Sequence, residues 1–108
     1  MKLGDIGPAA KQAIPNLIGA LSDRHVDVRV FAARALALIG QETNLAVPAL
    51  VKSLLDSDPD VRRWAAEALG ALGAQSADSV TALHAALRDK DEEVREAAAQ
   101  ALRRIKTK

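Results

Sequence analysis

The 108-residue chain has no cysteine and no tyrosine, and its aromatic residues are one phenylalanine, Phe31, and one tryptophan, Trp64. Without cysteine there is no disulfide framework and no thiolate to act as nucleophile or metal ligand. With so few aromatics in a chain that is 49% hydrophobic, alanine and leucine must fill most of the interior. Small and unbranched side chains suit closely packed helices, whereas a sheet calls for more valine, isoleucine and aromatic residues. Excess charge of one sign is also missing. Fifteen basic and fourteen acidic side chains leave a formal charge of +1, so no field draws the chain toward nucleic acid or anionic lipid. No apolar run approaches membrane-spanning length, and the opening MKLGDIG lacks the apolar centre of a secretory signal. The chain reads as soluble, with a cytoplasmic setting expected, and as one domain with a modest core.

What the chain does contain is repetition. Residues 28–39 read VRVFAARALALI, residues 61–72 VRRWAAEALGAL and residues 94–105 VREAAAQALRRI, so one grid, V-R-x-x-A-A-x-A-L-x-x-[IL], occurs three times. A step of 33 residues relates Ile14, Val47 and Val80; Leu17, Leu50 and Leu83; Leu21, Leu54 and Leu87; Asp23, Asp56 and Asp89; and Arg29, Arg62 and Arg95. No insertion breaks the register. Within a unit, Ile14, Leu17, Ile18 and Leu21 recur at helical spacing and predict a short first helix. Pro15 and Pro48 are expected in the first turn of that helix, where a missing N–H does little harm. A polar turn follows, whose last acid (Asp27, Asp60 or Glu93) is placed to cap the second helix or to sit in its first turn. Gly40 and Gly73 are placed to end the second helix. Each unit is therefore an antiparallel helix pair, which cannot bury its apolar face alone and must stack on its neighbours.

The run I-P-x-L-I-x-x-L from Ile14 to Leu21, followed by D-V-R-x-x-A-A-x-A-L-x-x-I-G from Asp27 to Gly40, resembles the HEAT repeats, in particular the short repeats of the phycobilin-lyase type. The resemblance covers residues 8 to 105 and implies an all-α fold, a right-handed α-solenoid of about three stacked helix pairs. The expected organisation is a single domain over 1–108, with repeats at 8–40, 41–73 and 74–108, the last closing the stack as a C-terminal cap. Residues 1–7 look like the remnant of a preceding unit, because Leu3, Ile6 and Gly7 stand 33 residues before Leu36, Ile39 and Gly40. Such an end would leave apolar surface, so self-association through it is an expectation. At the other end, His84, Arg103 and Arg104 replace residues that are apolar in earlier units, as a last repeat with no successor requires.

On a helical wheel Val28, Ala32, Ala35, Leu36 and Ile39 gather on one side, while positions 30, 31, 34, 37 and 38, which vary between units, gather on the other. The constant side is expected to be core, and the variable side solvent-facing. The HEAT resemblance implies that second helices line the concave surface of the solenoid. The candidate partner-binding residues are therefore Val30, Phe31, Arg34 and Leu38, then Arg63, Trp64 and Glu67, then Glu96 and Gln100, with Ala71, Ala97 and Arg104 also displayed. Phe31 and Trp64 occupy equivalent positions in adjacent units, ~10 Å apart if the helices pack at ordinary distance. Aromatics ringed by arginine have the composition of an interaction hot spot, although each ring could instead lie half-buried as packing.

No catalytic residue, cofactor-binding motif or metal ligand set is expected. The acid–arginine pairs Asp27/Arg29, Asp60/Arg62 and Glu93/Arg95 recur in every unit, whereas an active site is singular. The HEAT resemblance implies that these arginines bridge adjacent repeats. His25 and His84 lie in different units with no third ligand near in sequence, and no glycine-rich phosphate loop occurs. The expected function is a non-enzymatic scaffold that binds a protein or peptide, not nucleic acid and not a membrane. The alternatives are a chromophore-handling accessory module related to the phycobilin lyases, or an excised or engineered repeat scaffold.

Overall fold

A computed structural model describes residues 8–40, 45–73 and 77–106; Leu3, Ile6 and Gly7 lie outside the described residues. These segments form six helices: α1 (Pro8–Ala20), α2 (Val26–Ile39), α3 (Ala46–Ser53), α4 (Pro59–Leu72), α5 (Ala77–Ala86) and α6 (Glu92–Lys106). Among the described residues there is no strand. α1 packs on α2, α3 on α4 and α5 on α6, and the pairs stack so that α2, α4 and α6 form one layer and α1, α3 and α5 the other. α4 lies between α2 and α6 and has second-helix neighbours on both sides. The result is an all-α solenoid.

The core is built as the repeat predicts, from aliphatic residues without an aromatic at its centre. Leu36, Leu50, Leu69, Leu83, Val61 and Val94 are its largest fully buried side chains, and alanines 32, 33, 65, 66, 68 and 98 lie fully buried between helices. Alanine at these places lets helix backbones approach closely, and the dispersion contacts of the neighbours replace the missing side-chain volume. Gly40 and Gly73 end α2 and α4 with φ of 59° and 65°, the left-handed conformation that glycine adopts without steric cost.

Two local expectations are corrected. Pro15 does not open a helix: α1 begins at Pro8, and Pro15 lies inside it. The stretch Ala9–Gln12 is made of strong helix formers, and Pro8 takes the first helical position, so the helix extends back past Pro15. Asp27, Asp60 and Glu93 lie in the first turns, one of the two places expected for them, and the side-chain cap of α4 is Asp58, which accepts from the N–H groups of Asp60 and Val61. Asp91 does the same for Glu93 and Val94 at the start of α6. Val28, assigned to the core, is 36% exposed, because no described helix lies against α2 where α2 itself covers Val61. Leu87, in register with the buried Leu21 and Leu54, is exposed in the last pair for the corresponding reason.

Candidate functional site

The second helices present the candidate residues in very different states. On α2, Phe31 is 64% and Leu38 61% exposed, Arg34 is exposed and Val30 half-buried. On α4, Arg63, Trp64 and Glu67 are all half-buried. On α6, Glu96, Gln100 and Arg104 are exposed. Two displayed positions are corrected: Ala97 is buried, packed into the core under α4, and Ala71 is half-buried. Gly70, at one of the variable positions, is also buried. A methyl group there would come within 2.9 Å of the Ala101 Cα, so the position is held by close helix contact rather than by solvent.

The centre of the surface is Trp64. Its ring packs against the core, and two guanidinium groups stand over it. Arg34 of α2 lies 5.5 Å from the ring centroid and Arg63 of α4 lies 4.8 Å from it. A cation at this distance is attracted by the negative face of the indole, which fixes long side chains that would otherwise sample many rotamers. The contact from Arg34 crosses between repeats, so the surface is continuous from the first pair to the second.

The three equivalent arginines at the start of the second helices perform a different task. Arg29 donates through Nε and Nη2 to Asp56 of the next unit at 2.9 and 3.2 Å, and through Nη1 to the Asp23 carbonyl of its own turn at 2.9 Å. Arg62 repeats the pattern: Nε and Nη2 donate to Asp89 at 2.8 and 3.1 Å, and Nη1 to the carbonyls of Asp56 and Ser57 at 2.8 and 3.1 Å. Arg95 donates to the Asp89 carbonyl at 2.7 Å and is otherwise solvent-exposed. The fork geometry of guanidinium matches a carboxylate, so each bridge fixes the angle between units as well as their distance. The accepting aspartates are held ready by local bonds, since Asp56 and Asp89 each accept the N–H of the residue two further on. Arg29 and Arg62 therefore bridge repeats, whereas Arg95 ties only the turn of its own unit. The acidic partner is the first aspartate of the turn, not the Asp27, Asp60 or Glu93 that accompanies each arginine in sequence.

At the first turn, Asp23 holds the place of Asp56 and Asp89. It accepts the backbone N–H of His25 at 2.8 Å, with the His25 ring Nδ1 at 3.1 Å. The hydrogen bond from that backbone N–H, with the His25 ring beside it, holds the Asp23 carboxyl below its ordinary value of 3.8. Among the described residues no three histidine, aspartate or glutamate side chains are grouped so as to hold a metal ion, and no helix is long and apolar enough to cross a membrane.

Stacked helix pairs in constant register, tied by a ladder of arginine–aspartate bridges and varying on one face, define a helical repeat protein. A family model described as HEAT repeats matches residues 1–70 and again 47–108, and the chain belongs to that family. HEAT repeats commonly serve as interaction scaffolds. No curated protein matches the chain. Two solved structures share its fold, both crystal structures of engineered proteins from the Northeast Structural Genomics Consortium. One is 29% identical with a TM-score of 0.68, the match covering 89% of this chain and 46% of the other. The second is also 29% identical with a TM-score of 0.68, the match covering 88% of this chain and 28% of the other. The chain thus spans less than half the length of either.

Proposed function

We propose that this chain is a non-enzymatic interaction module that takes a protein or peptide segment along the concave face formed by α2, α4 and α6, in a cytoplasmic setting. The observation that carries the reading is the continuity of Phe31 and Leu38, both more than 60% exposed, with a Trp64 that is already ordered by two arginines. Large apolar side chains standing in water at adjacent positions gain by being covered, and a half-buried tryptophan loses little conformational freedom when a partner covers it. Arg34, Arg63 and Glu67 supply polar contacts around that centre, and Val30, Glu96 and Gln100 extend the surface at its edges. A segment with one or two apolar anchors and a carboxylate near them fits this arrangement.

A peptide-display selection against the wild-type chain tests the proposal. Phe31→Arg is the informative variant, because a side chain 64% exposed can be replaced without disturbing the core. Enriched peptides are expected to share an apolar anchor, to bind wild type, and to lose at least about tenfold in affinity on Phe31→Arg, equivalent to ~1.4 kcal/mol. Arg95→Ala, remote from Trp64 in the stack, is expected to keep their binding. Peptides that bind Phe31→Arg as well as wild type would remove the aromatic surface from consideration.

A further inference from the structure

The layer of first helices carries an open groove at the joint between the first and second units. Its volume is about 740 Å³, and it lies between α3 and the end of α1 with the turn that follows. Ile18, Leu21, Pro48 and Ala49 give it apolar walls, and the Arg29–Asp56 bridge forms part of its lining. Gly19 lines it too, and a Cβ added there would meet nothing within 4 Å, so the space beside α1 is unfilled. Two exposed cations, Arg24 and Lys52, stand at this groove, and among the described residues neither has an acidic partner. The repeat makes this joint comparable with the next. There the position of Gly19 is taken by Lys52, that of Arg24 by Ser57 and that of Lys52 by Ala85. An open wall beside two unpartnered cations therefore belongs to the first of the two joints. A combination that the 33-residue register does not repeat is not what stacks the units.

We propose that this groove binds a small organic acid, whose single carboxylate is met by Arg24 and Lys52 and whose apolar body lies against Ile18 and Pro48 in the space that Gly19 leaves. The volume falls within the range of about 300–1,000 Å³ usual for small-molecule sites. Charge sets the class of ligand. Arg24, Arg29 and Lys52, set against Asp23 and Asp56, leave the lining one positive charge. Arg29 and Asp56 satisfy each other in their bridge, and the hydrogen bond from the His25 N–H favours the ionised form of Asp23. A carboxylate brings one negative charge and matches this balance. A phosphate ester brings a charge of about −1.5 to −2 and would set its excess against Asp23. Guanidinium takes a carboxylate in a two-bond fork, and the lysine ammonium adds a mobile point charge. The apolar body contributes by leaving water. Because the groove belongs to the first helices, this inference stands whether or not the second-helix surface around Trp64 takes a partner.

Amide NMR titrations of the isotope-labelled chain with hexanoate, hexyl phosphate and hexanol test the proposal. Hexanoate is expected to shift the amides of Gly19, Ser22 and Lys52 along saturating curves, and the other two to bind more weakly. Two variants, each first shown to melt cooperatively, separate a groove from a charged surface. Arg24→Gln/Lys52→Gln removes both cations, which are exposed and make no contact that the fold needs, and is expected to weaken hexanoate by roughly tenfold. Gly19→Lys gives α1 the residue that α3 carries in the same register, at a place with room for it. It adds a cation but fills the groove, so it too is expected to lose hexanoate. Attraction to surface charge alone would instead strengthen binding in that variant. Hexanoate shifts that do not saturate, hexyl phosphate or hexanol binding as tightly as hexanoate, or either variant binding hexanoate as well as wild type would each overturn the proposal.

Discussion

Arg62 spends its whole guanidinium on the joint between the second and third units, with four hydrogen bonds and a side chain only 7% exposed. Replacing it by alanine removes the cation while leaving the Asp89 carboxylate at 12% exposure. A buried pair broken from one side costs about 3–5 kcal/mol. For a domain of this size that corresponds to a fall in Tm of more than ~10 °C. Arg95, the same residue in the same sequence context, is exposed, and Arg95→Ala is expected to change stability by no more than ~0.5 kcal/mol. Thermal melts by circular dichroism compare the two, and similar Tm values for both variants would show that the bridge does not hold the units together. Acid probes the same joint. Burial works against the Asp89 carboxylate, but the hydrogen bonds from Arg62 and the Asp91 N–H and the charge of Arg62 outweigh it, so its pKa lies below the ordinary 3.8. A lowered folded pKa means that this stabilisation is complete above 3.8 and is lost as the pH falls through the folded value. The Tm gap between wild type and Asp89→Asn is therefore expected to be constant from pH 7 down to the upper edge of that window and to close below it. A gap already closing at pH 6 would assign the effect to another group.

At the level of the helix, the repeat register and the stop signals were legible in the sequence, because glycine at position 40 or 73 and the apolar period are local properties. The start of α1 was not. Alignment with Pro48 suggested that Pro15 opens the helix, yet nothing in a 33-residue register forbids one unit from extending its helix backward through Ala9–Gln12. This makes two prolines in one register unequal. Inside a helix proline lacks the N–H for its turn and crowds the carbonyl four residues earlier, at a cost of up to ~3 kcal/mol relative to alanine. Pro48, the third residue of α3, replaces an N–H that has no intrahelical acceptor in any case. Pro15→Ala is expected to raise stability by about 1–3 kcal/mol and Pro48→Ala to change it by less than ~0.5 kcal/mol, read from urea midpoints at equal slope. Equal shifts would mean that α1 is broken at Pro15. The site was half legible for a related reason. A wheel drawn for one helix gives Phe31, Trp64 and Ala97 the same angle, but they are exposed, half-buried and buried, because their cover comes from the preceding second helix and from the size of the residue itself.

For the molecule as a whole, stability resides in the contacts between successive units, and the middle unit is the one that has them on both sides. α4 packs against α2, α3 and α6, carries the fully buried Val61, Ala65, Ala66, Ala68 and Leu69, and is tied to the third unit by Arg62. Among the described residues α2 and α6 each have a second-helix neighbour on one side alone, which leaves Val28 of α2 and Arg95 and Arg103 of α6 exposed. In a linear array each unit's protection against opening is its own stability plus its interfaces, so protection should fall from the centre to both ends. Native-state amide exchange is expected to be slowest in Val61–Leu69, faster in the middle of α6 and α2, and fastest in α1, where Pro15 interrupts the hydrogen bonding. Arg62→Ala sharpens the expectation. It removes the bridge between the second and third units and leaves the Arg29–Asp56 bridge of the first joint intact. Exchange in α5 and α6 should then accelerate far more than exchange in α2, because the third unit can open while the first two remain stacked. Equal acceleration in all six helices would instead identify a single cooperative block, in which the ladder of bridges stabilises the whole stack and no joint can open alone.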